Sequence, residues 1–208
     1  MKKEISKKMF PTTDLIIRSA LKEFLEKHHA SDERVRIIEE LGIHHGTVRV
    51  DIAVVNGLLE GYEIKSDRDT LERLPEQMYA FNSVFDKMTL VVGKTHLFEA
   101  INMVPDWWGV IVAKINSDNL VSFNLIREGE LNKHRNSVSV ARLLWREEAL
   151  SMLIAEGEAK GFYSKPRELI YEKLSSVFDQ DSLGEKVREA IFFRRDWRPD
   201  SPLVLNDD

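Results

Sequence analysis

The chain has 208 residues, 43% hydrophobic and 31% charged, with 10 Gly, 6 Pro and no Cys. This composition fits a globular protein of ordinary size and excludes collagen-like, disordered and disulfide-stapled classes, together with thiolate-ligated zinc and a cysteine nucleophile. The net charge of -5 excludes a protein that coats nucleic acid by overall positive charge, though not an enzyme that acts on it.

The opening MKKEISKKMFPTTD is basic but lacks the apolar run of a signal peptide, and no segment reaches membrane length. With the lack of Cys, this predicts a cytoplasmic protein without a membrane partner. PTTDLIIRSALKEFLEKHH places Pro11, Thr12, Thr13 and Asp14 where caps belong and repeats Ile16, Ala20 and Phe24 one turn apart, which predicts an amphipathic helix. His28 and His29 fall in its last turn, where positive charge is favourable. RVRIIEEL, Arg34 to Leu41, reads as a strand, and GIHHGT as a turn that leaves His44 and His45 at the surface.

Val48 to Val55 and Leu58 to Lys65 are apolar and β-branched runs separated by Asn56-Gly57, a strong hairpin signal. Asp69 and Glu72 have capping-box spacing and Pro75 suits a first turn, so a helix is expected from Leu74 to Phe85. MTLVVG reads as a buried strand. A helix from Thr95 to Met103, the strand WGVIVAKI with Trp107 and Trp108 beside it as core residues, the turn NSDN and the strand VSFNLI follow. From Asn136 the pattern is helical only: SVARLLWREEALSMLIAEGE, KPRELIYEKLSSVF, and SLGEKVREAIFFRR with a Ser182/Glu185 capping box. The expected organisation is a core over 1–135 and a helical subdomain and tail over 136–208.

Basic residues cluster in KKEISKK and in KHRNSVSVARLLWR, Lys133 to Arg146, which contains no acid. Either stretch is a phosphate contact or a solvated face. The charges inside the hairpin pose a sharper question, because Asp51, Glu63 and Lys65 stand in strands otherwise apolar on both faces. A two-residue turn at Asn56-Gly57 would put Asp51 on the face opposite Glu63 and Lys65; a three-residue connection, such as a type I turn followed by a left-handed glycine, puts all three together. Only the second lets the charges offset one another's desolvation, so it is the expected register. Two carboxylates and an ammonium on one face suit a hard cation such as Mg²⁺ or Mn²⁺ and phosphodiester hydrolysis.

Asp51 followed on the next strand by Glu63-Ile64-Lys65 resembles the PD-(D/E)XK nuclease superfamily. The resemblance covers roughly Thr13 to Val92, in the order helix, strand, strand with Asp, strand with E-x-K, helix, strand. Gln77-Met78-Tyr79-Ala80-Phe81 is similar to the Q-x-x-x-Y element of its exonuclease-like branches. The run VDIAVVNGLLEGYEIKSDRDTLERLPEQ also resembles small uncharacterised bacterial proteins assigned to the superfamily. The resemblance implies a restriction-endonuclease-like mixed sheet flanked by helices and a metal-dependent nuclease acting on nucleic acid, with DNA as the expected substrate. It implies that Asp51, Glu63 and the Ile64 carbonyl bind Mg²⁺ or Mn²⁺, that Lys65 orients or activates water, and that Gln77 steadies Lys65 or a phosphate. Val50 stands where the family has proline, a strand position without chemistry. The family's additional acidic ligand has two candidates, Asp14 and Glu40; a turn centred on His45-Gly46 would bring Glu40 opposite Asp51, which favours Glu40. LSMLIAEGEAKGFYSKPRELIYEKL resembles a SAP-type DNA-binding module with Lys165 and Arg167 near a helix start; a lid or homodimer interface is the alternative. A nuclease-like scaffold that binds nucleic acid or protein without cutting is the alternative to an enzyme.

Overall fold

A computed structural model describes residues 11–118 and 120–195. The basic KKEISKK stretch lies outside the described residues. Helix α1 (Asp14–His28) leads into the strands β1 (Arg36–Ile43), β2 (Val48–Val55) and β3 (Leu59–Lys65), then helix α2 (Leu74–Asn82) and strand β4 (Lys87–Gly93). Helix α3 (Leu97–Met103), strands β5 (Gly109–Ile115) and β6 (Val121–Arg127), and helices α4 (Ser137–Ala141), α5 (Arg146–Ala155), α6 (Arg167–Val177) and α7 (Gln180–Phe193) follow among the described residues. The six strands form one sheet in sequence order. β3, β4 and β5 run parallel; the neighbouring pairs β1–β2, β2–β3 and β5–β6 are antiparallel. This is a mixed sheet flanked by helices, the fold class that the resemblance implied.

Both sheet faces are covered, as strands apolar on both sides require. On one face α1 packs Ile17, Leu21 and Leu25 against Ile52, Val54, Ile64, Val91 and Ala113. On the other, α2 and the C-terminal helices share one core with the sheet: Phe81, Leu144, Leu153, Tyr171, Leu183 and Ile191 join Ala53, Leu90 and Val110.

Several local expectations need correction. The buried stripe of α1 is Ile17, Leu21 and Leu25, whereas Ile16 and Phe24 are exposed; both stripes have helical spacing, and the sheet accepts the bulkier one. Asp69 does not cap α2. Its carboxylate accepts from Ser66 N at 2.7 Å within the preceding turn, and Arg73 occupies the N-cap position with Pro75 in the first turn. SVARLLWREEALSMLIAEGE is two helices, because the Glu148 carboxylate accepts from Trp145 N at 2.7 Å and starts α5 afresh. Asp179, not Ser182, caps α7, accepting from Asp181 N and Ser182 N. Trp108 is fully buried and its indole donates to Asn82 Oδ1 at 2.8 Å, the core placement expected for it.

Candidate active site

The hairpin sets the site. β2 and β3 pair from Val55↔Leu59 to Ile52↔Tyr62, so the connection is the three residues Asn56-Gly57-Leu58. Gly57 stands at its apex with φ +97°, a conformation glycine adopts without strain. Asn56 N donates to Leu58 O at 3.1 Å, and Leu58 N donates to Asn56 Oδ1 at 3.3 Å. The connection has the expected length, but its glycine is central rather than trailing a type I turn.

Continued by one step, that register aligns Asp51 with Glu63, yet the ladder stops at Ile52↔Tyr62. Ile64 N donates instead to Asp51 Oδ2 at 2.6 Å. Past this point β2 remains paired to β1 and β3 to β4, leaving a cleft of about 690 Å³ between them. The pairs Glu39↔Ile52 and Leu41↔Val50 put Glu40 across from Asp51, as its sequence position suggested. Glu40 has φ +54°, unusual for a non-glycine. Ile38, Leu41 and Ile43 all enter the same core, so the alternation of β1 reverses at Glu40. A strained residue beside a cleft is a common companion of function.

Within the cleft Glu63 is 1% exposed. Its Oε1 accepts from Lys65 Nζ and from Gln77 Nε2, both at 2.6 Å. Lys65 Nζ also donates to Gln77 Oε1 at 2.9 Å, so α2 closes a triangle with β3. Glu63 Oε2 is buried and has no partner. Burial and the nearby negative charge of Asp51 push the Glu63 carboxyl up to about 8, against the opposing pull of Lys65 and Gln77. Burial likewise raises Asp51, partly offset by Ile64 N and Arg18.

Sequence reasoning missed Arg18. It sits on α1 beside the buried Ile17 and pairs with Asp14 (3.2 Å), Glu40 and Asp51 (2.5 Å). Burial works against its charge, but the Asp14 hydrogen bond and the three carboxylates outweigh that and raise its pKa. The helical i,i+4 spacing of Asp14 and Arg18 was a signal available in the sequence.

The donor set fits a hard divalent cation. An unpartnered, buried carboxylate oxygen costs stability unless something compensates it, and Glu63 Oε2 stands beside Asp51 and Ile64 along one polar cleft. Among the described residues no group of three or more His, Asp or Glu side chains is arranged to hold a metal ion. Two carboxylates with a backbone carbonyl instead suit Mg²⁺ or Mn²⁺, which keep several waters and share their coordination with substrate phosphates.

A second cavity of about 440 Å³ adjoins the first, with Glu40 and Gly46 common to both linings. Arg142, Arg146, Arg167 and Arg194 line it. Arg142 and His45 hold Glu168 at 2.8 and 2.7 Å, and Arg146 donates to Tyr163 O at 2.6 Å. His45 is exposed, as expected, while burial lowers the pKa of the half-buried His44.

The family model of Bacteriophage P4 protein cII matches residues 12–201, every residue of this site included. The chain belongs to the Bacteriophage P4 protein cII family. One relative, Protein cII of Enterobacteria phage P4, is 31% identical over 137 residues, which are 66% of this chain and 51% of the phage protein. The chain thus spans about half the length of that curated relative. A solved structure of a Silicibacter pomeroyi protein of unknown function is similar at 17% identity and a TM-score of 0.42, covering 74% of this chain and 100% of that one. Among the described residues of this cII family member, no helix is long and apolar enough to cross a membrane.

Proposed function

We propose that this chain is a metal-dependent nuclease of the PD-(D/E)XK type that hydrolyses phosphodiester bonds, with DNA as its substrate. The observation that carries the reading is the joining of Asp51, Glu63, Lys65 and Gln77 at one cleft, with the second oxygen of Glu63 buried and unpartnered. Asp51, Glu63 and the Ile64 carbonyl would hold Mg²⁺ or Mn²⁺. A bound ion of this kind supplies positive charge that acidifies water and offsets the negative charge building on a phosphate under attack.

The chain's own groups do the rest. Gln77 uses both ends of its amide, donating to Glu63 and accepting from Lys65, and so fixes the ammonium relative to the carboxylate. Held there, Lys65 presents a donor that orients a water or a phosphate oxygen in the cleft. The cavity next to the cleft supports a polyanionic substrate through Arg146 and Arg167 at its lining, since Arg142 and the buried Arg194 are already paired with Glu168 and Glu148.

The deciding experiment incubates purified protein with supercoiled, linear and single-stranded DNA and with RNA, in Mg²⁺, Mn²⁺ or EDTA, beside Lys65→Ala and Asp51→Asn. Cutting should require the metal and fall by about 10²-fold or more in each variant. Unchanged cutting by both variants would remove the site. The ion pairs of Arg18 with Asp51 and Glu40 favour a second reading, a nuclease-like module that binds nucleic acid or protein without hydrolysis. Salt-sensitive DNA binding by a wild type that cuts nothing would select it.

A further inference from the structure

We propose that Arg18 is a built-in cation that neutralises Asp14, Glu40 and one oxygen of Asp51 in place of a second metal ion, so that the cleft takes a single divalent ion on its Asp51–Glu63 side and leaves Glu40 and Asp14 outside the ligand set. The inference rests on the metal-dependent reading above. Four carboxylates, those of Asp14, Glu40, Asp51 and Glu63, line one cleft, and so many like charges cannot remain ionised together without cations between them. Two-metal phosphodiesterases solve this with a pair of ions about 3.5–4 Å apart. Here the carboxylates divide into two sets. Asp14, Glu40 and Asp51 Oδ1 belong to Arg18, whereas Glu63 faces Lys65 and Gln77 with Oε2 left over. Asp51 is common to both, because its Oδ2 turns toward β3 and accepts from Ile64 N. It therefore stands between the guanidinium and the open Glu63 oxygen as a bridging carboxylate stands between two ions.

The hydrogen-bond inventory separates this role from that of a phosphate clamp. A guanidinium has five N–H donors. In Arg18, Nε donates to Asp14 Oδ1 and one terminal nitrogen donates to Asp14 Oδ2 and Asp51 Oδ1. The other donates to Glu40 Oε1 and, at 3.4 Å, to Asp51 O. All five are engaged with the protein, which leaves none for a substrate oxygen. The helix holds the group in place, since Ile17 and Leu21, on either side of it in sequence, are fully buried against the sheet. Arginine keeps its charge across the working pH range, so the position is permanently positive, unlike an exchangeable metal site.

Metal stoichiometry tests this without relying on cutting. Mn²⁺ is titrated into wild type, Arg18→Gln and Glu40→Gln by calorimetry, with free Mn²⁺ followed by electron paramagnetic resonance. Wild type should bind one ion per chain. Arg18→Gln removes the guanidinium that spans Asp14, Glu40 and one oxygen of Asp51 and lets these carboxylates move together onto a second ion, so it should bind two. Glu40→Gln alters an exposed side chain and tests the same point if Arg18→Gln does not fold: it should keep one site, with affinity changed by less than about threefold. Two ions in wild type, a single ion in folded Arg18→Gln, or a larger loss of affinity in Glu40→Gln would each overturn the role of Arg18 while leaving a metal site in place. Absence of Mn²⁺ uptake by every protein would instead remove the metal-dependent reading itself.

Discussion

Glu63 carries the largest electrostatic burden of the site, and its effect on stability has a definite sign. Its carboxyl sits near 4.5 ordinarily and is pushed up to about 8 by burial and by Asp51. The folded chain therefore retains a proton that the unfolded chain releases. The stability tied to that proton is fully present below about pH 4.5 and is lost as pH rises through about 8. Glu63→Gln keeps the shape without the charge. In EDTA it should melt close to wild type at pH 4.5 and clearly above it at pH 8, each kcal/mol being worth about 2–4 °C for a chain of this size. Equal melting of the two proteins at pH 8 would show that burial does not penalise the ionised Glu63 carboxylate. Asp51, Glu63 and Lys65 were legible in the sequence because charge inside apolar strands needs a reason, whereas Gln77, on a helix, was marked only by the family resemblance. Arg18 was not legible. With Ile16, Ala20 and Phe24 as the inner stripe of α1, Arg18 would lie about 160° from the centre of that face; with Ile17, Leu21 and Leu25 inside it lies about 60° from it, on the flank that meets the cleft. Seven apolar residues crowd that helix, and only the shape of the sheet beneath decides which of them go in.

At the level of elements, the site depends on hairpin register and on the splaying of β2 from β3. Gly57 fixes the first. A Cβ there would meet no neighbour within 4 Å, but the backbone sits at φ +97°, so Gly57→Ala should destabilise by about 1–2 kcal/mol through backbone strain alone. Urea unfolding checks this, and a change under about 0.3 kcal/mol would contradict it. Asp86 anchors the far end of β3: buried at 4% exposure, it accepts from Leu59 N at 2.7 Å and pairs with Arg135 and Arg188. Asp86→Ala would leave Arg188 without its carboxylate and Arg135 with only the exposed Asp181, and should cost about 3–5 kcal/mol in the same assay. Register was legible because parity left one arrangement that gathered the charges. The starts of α5 and α7 were not. In α7 two cap candidates, Asp179 and Ser182, lie three residues apart, and the capping-box pattern marked the second. In α5 the cap is Glu148 reaching back to Trp145 N, within a stretch whose composition favours an unbroken helix.

For the whole molecule, the change from mixed elements to helices after Asn136 was plain in the sequence, but not the surface those helices cover. Amphipathic spacing shows that a helix has an apolar face and is silent on what it meets. The structure joins α4 to α7 with one face of the sheet in a single core. Arg36 of β1 donates to the carbonyls of Ile191 (3.0 Å) and Phe192 (2.6 Å) in α7. A chain ending at Arg135 would therefore expose that sheet face, and it should lack a cooperative thermal transition by circular dichroism; a sharp two-state melt would show that residues 1–135 stand alone. The central claim concerns a divalent ion in the gap between the splayed strands, and diffraction addresses it most directly. Crystals grown with Mn²⁺, with data collected at the manganese edge, should give an anomalous peak within bonding distance of Asp51, Glu63 and the Ile64 carbonyl, and none between Asp14 and Glu40. A map with no peak at Asp51 and Glu63, or with Glu63 Oε2 taken up by a protein donor instead, would contradict the account.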